Sequence, residues 1–357
     1  MTAFLEIDLG AIIANWRLLA GLACGGETAA VVKADAYGLG AARVVAALAA
    51  AGCKSFFAAH LAEAIALRQV ASSARIMVLN GLSPHAASDF IAHQIIPVLG
   101  SLEDIALWRA AAREQGRVLP AFLHLETGMH RLALDARDIA RLSDDPSLLA
   151  GIKVDTVISH LINAEQPEDA RNQRQLDDFL TYAAGFSGAR RSIANSPGSF
   201  LGPSFQLDLT RPGAALYGLN TSPLQPRRMH PVVRLSAPIL QIHEIPAGAS
   251  VGYGGLWTAQ RPSRIATIGV GYGDGFLRSL TNRGVACFDD IPIPLVGRVS
   301  MDLTTFDVTD VPVVPGSLLT LLGGGHGADE LGLEAGSIGY EILTSLGRRY
   351  QRRYIGA

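Results

Sequence analysis

AAVVKADAYGLG, residues 29–40, runs a β-branched apolar segment into a single lysine, Lys33, and then into a glycine-punctuated turn carrying Tyr37. A long alanine-rich helix is predicted from about Ala41. The pattern puts a lysine at the exit of a buried strand. Of the 30 Lys plus Arg in the chain, only Lys33, Lys54 and Lys153 are lysines, so chemistry that needs a primary amine has few candidates. Lys54 precedes the run SFFAA and Lys153 precedes DTVISHL, both at strand entrances. Lys33 alone stands at an exit, the end where α/β folds build their active sites.

Outward from that strand, short apolar runs alternate with helix-length stretches as far as about Tyr217. The runs are AAVVKA, SFFAA, RIMVLNG, IIPVLG, AFLHLETG, DTVISHL, RRSIANSP and LDLTRPGAALYG. Helices are predicted over 41–51, 61–73, 101–115 and 169–184, with another over 10–22 ahead of the first strand. Eight β/α units in roughly 200 residues fit a (βα)8 TIM barrel, whose parallel strands read as continuous apolar runs. A doubly wound sheet offers no reason to stop at eight. Lys33, His60, Asn80, Arg131, His160, Asn195 with Ser196, and Arg211 all follow strand exits and would converge on one face of the barrel.

Past about Leu219 the texture changes, with Pro223, Pro226, Pro231, Pro238 and Pro246 marking a linker and the edges of new strands. Runs such as VVRLSAPILQIHEI, RIATIGVGY, GVACFD, IPIPLVGRVSMDLTTFDV and SLLTLLGG are separated by turn residues, which predicts a mostly antiparallel β domain. A final helix over roughly 335–347 precedes the basic tail RRYQRRYIGA. His326, in GGGHGADE, reads as a loop residue, because that glycine run lacks the strand-to-helix pattern of a nucleotide fingerprint. The domains expected are a barrel over 6–222 and a β domain over 223–357.

The formal net charge is -2 and the arginines are scattered, which disfavours nucleic acid and acidic membranes as partners and favours a small molecule. Cys24, Cys53 and Cys287 are odd in number and far apart, and no CxxC or HExxH pair occurs, so neither a disulfide framework nor a metal site is signalled. MTAFLEIDLG carries Glu6 and Asp8 in place of a basic region and apolar run, and no uncharged apolar run reaches membrane-spanning length. A cytoplasmic protein is expected.

A lysine amine desolvated in a barrel mouth has a depressed pKa and can condense with a carbonyl compound or with pyridoxal phosphate. The alternative is a lysine whose stem packs while its ammonium reaches water. ANSPGS (194–199) and RPGAALYG (211–218) put glycine and open backbone amides at the ends of the seventh and eighth strands, where such barrels bind phosphate.

AVVKADAYGLG, ETGMHRL, SHL, ANS, RPGAALYG, VGYGG, GYGDG and GRVSMDLT come in the order and spacing of the bacterial alanine racemases, and the resemblance covers nearly the whole chain. It implies a pyridoxal 5'-phosphate barrel joined to a β domain that residues 1–5 also join. It implies a head-to-tail homodimer with shared active sites, interconverting L- and D-alanine. Lys33 would hold the cofactor and act as one catalytic base, and Tyr253 from the neighbouring subunit would be the base on the opposite face. His160, reached by Arg211, would tune that phenol, and Arg211 would contact the pyridine nitrogen. An arginine donates there and does not give up its proton, which weakens the ring as an electron sink. Arg131 would contact the cofactor phenolate and the substrate carboxylate, the latter shared with the Met301 amide. Tyr37, Asn195, Ser196, Gly213 and Ala214 would cradle phosphate and ring, and Tyr272, Arg278, Arg298, Asp302 and Glu165 would line the channel into the site.

Two positions depart from the family pattern. Many members carry a carbamylated lysine that orients the active-site arginine, but here His124 stands there and either hydrogen-bonds Arg131 or leaves it looser. A C-terminal tyrosine that helps bind phosphate is replaced by Arg348, for which Tyr350 or Tyr354 could substitute. A broader-range racemase acting on serine or other amino acids, a decarboxylase on the same barrel and a non-catalytic pyridoxal-phosphate carrier are the alternatives. Arg211 speaks against the decarboxylase, and the β domain with Tyr253 against the carrier.

Overall fold

A computed structural model describes residues 2–225 and 229–356. Seven strands form one parallel sheet in chain order: Ala30–Val31, Ser55–Ala58, Arg75–Val78, Ile96–Leu99, Leu119–His124, Ile152–Ile158 and Arg190–Ser192. Leu209–Thr210 closes the ring. It pairs in parallel with Glu27–Thr28, which continues through Ala29 into the first strand. The amides of Ala29 and Val31 donate to the Thr210 and Pro212 carbonyls at 2.9 Å each. On the other side, the Asp208 amide donates to the Arg191 carbonyl at 3.1 Å and the Arg211 amide to the Ala194 carbonyl at 2.9 Å. Each of the eight runs singled out in the sequence thus contributes to one parallel barrel.

Helices cover it because their apolar residues recur every three or four positions. Ala41–Ala50 buries Val44, Val45 and Leu48, and Leu102–Glu114 buries Ile105, Trp108, Ala111 and Ala112. Inside the barrel Phe57 meets Phe122 edge to face, with ring centroids 5.9 Å apart. Lys153 lies within the strand Ile152–Ile158 and not ahead of it, yet still far along the chain from that strand's exit.

The β domain is organised around Val233–Ile245. This strand pairs antiparallel with Phe4–Asp8 and Leu318–Leu322 along its first half and with Ser263–Ile268 along its second. Pro238, expected at an edge, lies inside it. The strand changes partners there: Ile239 donates to the Ser317 carbonyl and the register shifts between Ile239 and Gln241, so the missing N–H falls at the switch. Phe4–Asp8 also pairs in parallel with Gln351–Ile355, so the basic tail is an edge strand and both chain ends meet in this sheet. The Asp8 carboxylate then accepts from the Ala11 amide at 2.9 Å and opens the helix Leu9–Leu22.

The C-terminal helix is Gly339–Ser345, shorter than expected because Leu346 turns to φ -56, ψ 110. A second helix, Ala328–Glu334, occupies part of what reads as loop. Its start is held by Glu330, whose carboxylate accepts from the Gly327 amide at 3.0 Å, and the preceding glycines mask that signal. Pro226 lies outside the described residues. Among the described residues no helix is long and apolar enough to cross a membrane, and no group of three His, Cys, Asp or Glu side chains could hold a metal ion.

Candidate active site

Immediately after Lys33 the backbone makes one left-handed turn: Ala34, Asp35, Ala36 and Tyr37 have φ of 52, 56, 54 and 55°. Side chains with a Cβ resist this conformation by about 1–2 kcal/mol per residue, so the turn persists only because its surroundings hold it. Glu63 accepts from the Ala34 amide at 2.7 Å, Asp35 accepts from the Ala41 amide at 2.7 Å, and the Gly38 amide donates to the Ala34 carbonyl at 2.7 Å. Gly38 must be glycine. Its φ is 83° and a Cβ there would meet the Leu343 carbonyl oxygen at 2.5 Å. Glu63 was not anticipated from the sequence. The available signal was its place at the third position of the helix Leu61–Arg68, from which it also accepts the Ala59 and His60 amides.

The strand exits open into a cavity of about 1280 Å³. Lys33, Tyr37, Arg131, His160, Asn195, Ser196, Arg211, Gly213 and Ala214 all line it, together with Asn80, His124 and Glu165; His60 does not. Burial lowers the Lys33 amine pKa, the Arg131 charge lowers it further, and Glu63 opposes both. Lys33 is the one lysine on these walls. Arg211, 4% exposed, donates to Ser192 Oγ and to the carbonyl of Ser159, the residue before His160. Burial pulls its pKa down to about 10, which leaves it protonated at neutral pH. Asp208 does not pair with it, accepting instead from the Arg191 amide at 2.8 Å.

The His160 loop is fixed from behind by Gln175. This buried amide donates to Thr127 Oγ1 and to the His160 carbonyl at 3.1 Å each, and accepts from the Ile162 amide at 2.9 Å. His160 itself is held well below the usual imidazole range, by burial first and then by the charge of Arg211. His124 behaves alike, with burial and Arg211 bringing it to about 4. Its ring makes no hydrogen bond to Arg131 or to any other described residue, so it faces the cavity as a neutral group.

A pH dependence of stability follows from His124. The unfolded imidazole takes up a proton near 6.5 and the folded one only near 4. Between those values the unfolded state binds more protons, so stability is present above about pH 6.5 and lost as pH falls toward 4, by up to about 3 kcal/mol. His124→Gln is expected to shrink the difference between urea midpoints measured at about pH 7.5 and about pH 4.5. An undiminished difference would contradict the assignment.

The features of an anion cradle meet at one wall. Ser196 Oγ accepts from the Gly213 and Ala215 amides at 2.9 and 3.2 Å, which leaves its own O–H free to donate, and the Ala214 amide opens the turn Ala214–Tyr217 without a partner among the described residues. A Cβ on Gly213 would lie 2.4 Å from the Tyr37 hydroxyl, so only glycine keeps this space open. Tyr37 is stacked on Tyr217 with centroids 4.6 Å apart, and burial lifts its phenol to about 12, so it donates. Open amides, two hydroxyls and a lone amine within one cavity suit a phosphorylated aldehyde such as pyridoxal phosphate.

The other residues predicted for the site lie elsewhere in this chain. Tyr253 is 71% exposed, in the hairpin turn between Ser250–Val251 and Trp257–Thr258, and is not on the cavity wall. Tyr272 and Met301 are exposed side by side, the Tyr272 amide donating to the Ser300 carbonyl at 3.0 Å and the Gly273 amide to the Met301 carbonyl at 2.8 Å. Arg278, Arg298 and Asp302 are also off the wall, and Asp302 pairs with Arg349 at 2.8 Å. Arg348 is exposed and away from the cavity. Tyr350 is buried with its hydroxyl unpartnered, and Tyr354 donates to the Leu39 carbonyl at 3.1 Å. Tyr340 was not singled out by the sequence; it lines the cavity beside Glu165, 6.2 Å from the Tyr37 ring.

Residues 7–221 match the family described as alanine racemase, N-terminal domain, and residues 232–354 the alanine racemase C-terminal domain. The chain is 54% identical to an alanine racemase of Acidiphilium cryptum, covering 98% of this chain and 97% of that one. It is 47% identical to a catabolic alanine racemase of Agrobacterium fabrum, over 98% of this chain and 92% of the relative. The crystal structure of the Bartonella henselae alanine racemase with covalently bound pyridoxal phosphate superposes with a TM-score of 0.95 at 40% identity, over 99% of this chain and all of that one.

Proposed function

This chain belongs to the alanine racemase family, and from that premise we propose that its site works with Lys33 from one subunit and Tyr253 from a second copy. The protein is an alanine racemase: it interconverts L- and D-alanine and depends on pyridoxal phosphate. When bound, the cofactor supplies the electron sink that makes the substrate's α-proton removable.

The chain's own residues hold and move the rest. Ser196, Ala214 and Tyr37 would hold the phosphate, with Asn195 and Gly213 shaping the wall behind it. Arg211, anchored on Ser192 and Ser159, would face the pyridine nitrogen as a donor that keeps its proton. Arg131 steers the substrate carboxylate, and the Met301 amide of the second copy shares that task. Lys33, whose depressed pKa favours the free amine, takes or returns the α-proton on one face.

Inversion needs a second group on the opposite face. The tyrosines on this chain's own cavity wall, Tyr37 and Tyr340, have phenol pKa values raised by burial and keep their protons. Tyr253 stands exposed on the β domain, and so do the apolar side chains of Leu256, Tyr272, Met301 and Leu303. Exposed apolar side chains of this kind suit burial against another copy. The observation that carries the reading is Lys33, a lone lysine of lowered pKa on a wall that also offers anion-binding amides. Optical-rotation assays started from L-alanine, D-alanine, L-serine and D-serine, with pyridoxal phosphate present, test it. Turnover of both alanine enantiomers is expected, and inactivity toward both would overturn the reading.

A further inference from the structure

We propose that the C-terminal strand Gln351–Ile355 is a strap that keeps the left-handed turn behind Lys33 in shape, with Arg352 and Tyr354 as positioning residues for cofactor attachment. The inference rests on Lys33 being the residue that holds the cofactor. Four consecutive residues with a Cβ sit in the left-handed region directly after it; Glu63 accepts from the Ala34 amide at the turn's entry and Asp35 from the Ala41 amide just past its exit. The exit itself, Gly38 to Gly40, also meets the β domain.

There Arg352 forks between two carbonyls. Nη1 donates to Gly38 at 2.7 Å and Nη2 to Leu346 at 3.3 Å, so one planar guanidinium ties the barrel turn to the end of the helix Gly339–Ser345. Tyr354, two residues on and so on the same face of the strand, donates to Leu39 at 3.1 Å. Its hydroxyl lies so close to Gly40, whose φ is 96°, that a Cβ there would come within 2.1 Å. Arg43 stands over the Tyr354 ring at 5.7 Å. Three consecutive residues of the turn's exit, Gly38, Leu39 and Gly40, therefore rest on this one strand. The strand cannot drift, because it is hydrogen-bonded along Phe4–Asp8 and Arg353, on its other face, packs over the Phe4 ring at 4.2 Å. With the strap loosened, the turn would relax toward ordinary backbone angles and carry Lys33 out of register with the phosphate wall.

The test uses the holoenzyme and reads cofactor release into dialysis together with the pH midpoint of the cofactor's visible band, alongside the melting temperature. Arg352→Ala is expected to release cofactor at least about tenfold faster and to shift the band midpoint, since it loses charge-assisted hydrogen bonds to two carbonyls. Arg352→Lys, which keeps one donor, should recover part of the change. Tyr354→Phe removes a single hydroxyl and should speed release about fivefold; it decides the matter if Arg352→Ala does not fold. Wild-type release and band midpoint in the variants, with or without a lowered melting temperature, would overturn the strap. Borohydride reduction and peptide mass separate the premise from the proposal: label on Lys54 or Lys153 overturns both, and label on Lys33 with unchanged release overturns the strap alone.

Discussion

Lys33→Ala is expected to leave a folded protein without the visible absorption band of a covalently held cofactor and with racemisation lowered by at least about 10⁴-fold. The size follows from the cavity. No other lysine lines it, so neither the attachment nor the proton transfer can pass to a neighbour. Arg211 keeps its proton at neutral pH, and burial with the Arg211 charge makes His124 and His160 weak proton acceptors. The fold should survive, because the amine makes no hydrogen bond to any described residue and the turn behind it is held through backbone groups. Absorbance and racemisation measured on the purified variant check this, and a retained band would remove Lys33 as the anchor.

Tyr253→Phe should cost about 10²–10⁴ in turnover while shifting stability by no more than about 0.5 kcal/mol, since the residue is largely solvated in the single chain. The loss has a direction. With Lys33 intact, one enantiomer of alanine should still exchange its α-proton with deuterated water, returning it to the same face, and the other should not. Undiminished exchange from both enantiomers would reject the phenol as a base.

How far the sequence could carry this reading depended on the kind of signal. The barrel was legible because parallel strands buried on both faces are short apolar runs, and six of the eight are followed by polar residues that the fold gathers at one mouth. Lys33 stood out by scarcity. Arg211 and Ser196 were legible from turn sequences, but their anchoring by Ser192, Ser159 and the Gly213 and Ala215 amides was not, since those partners are neutral, common residues far away in the chain. The left-handed turn was invisible for a different reason. Its residues are Ala, Asp, Ala and Tyr, which no local rule assigns to positive φ, and contacts from residues more than 300 positions away hold its exit. Pro238 misled because a proline inside a long strand normally demotes it, whereas here the strand changes partners at that point. The helix Ala328–Glu334 was hidden behind its glycines. Arg348 was placed by counting along the chain, which ignores that the helix ends at Ser345 and turns the chain away from the cavity.

The central claim is that one working site takes its amine from one chain and its phenol from another. Lys33→Ala and Tyr253→Phe chains, each inactive alone, can be dissociated together and allowed to reassociate. About half of the resulting dimers should be mixed, each with one site whole and one doubly impaired, so activity should return to about a quarter of wild type. If the mixture stays as inactive as its parents while mixed dimers are demonstrably present, the two residues do not meet across an interface.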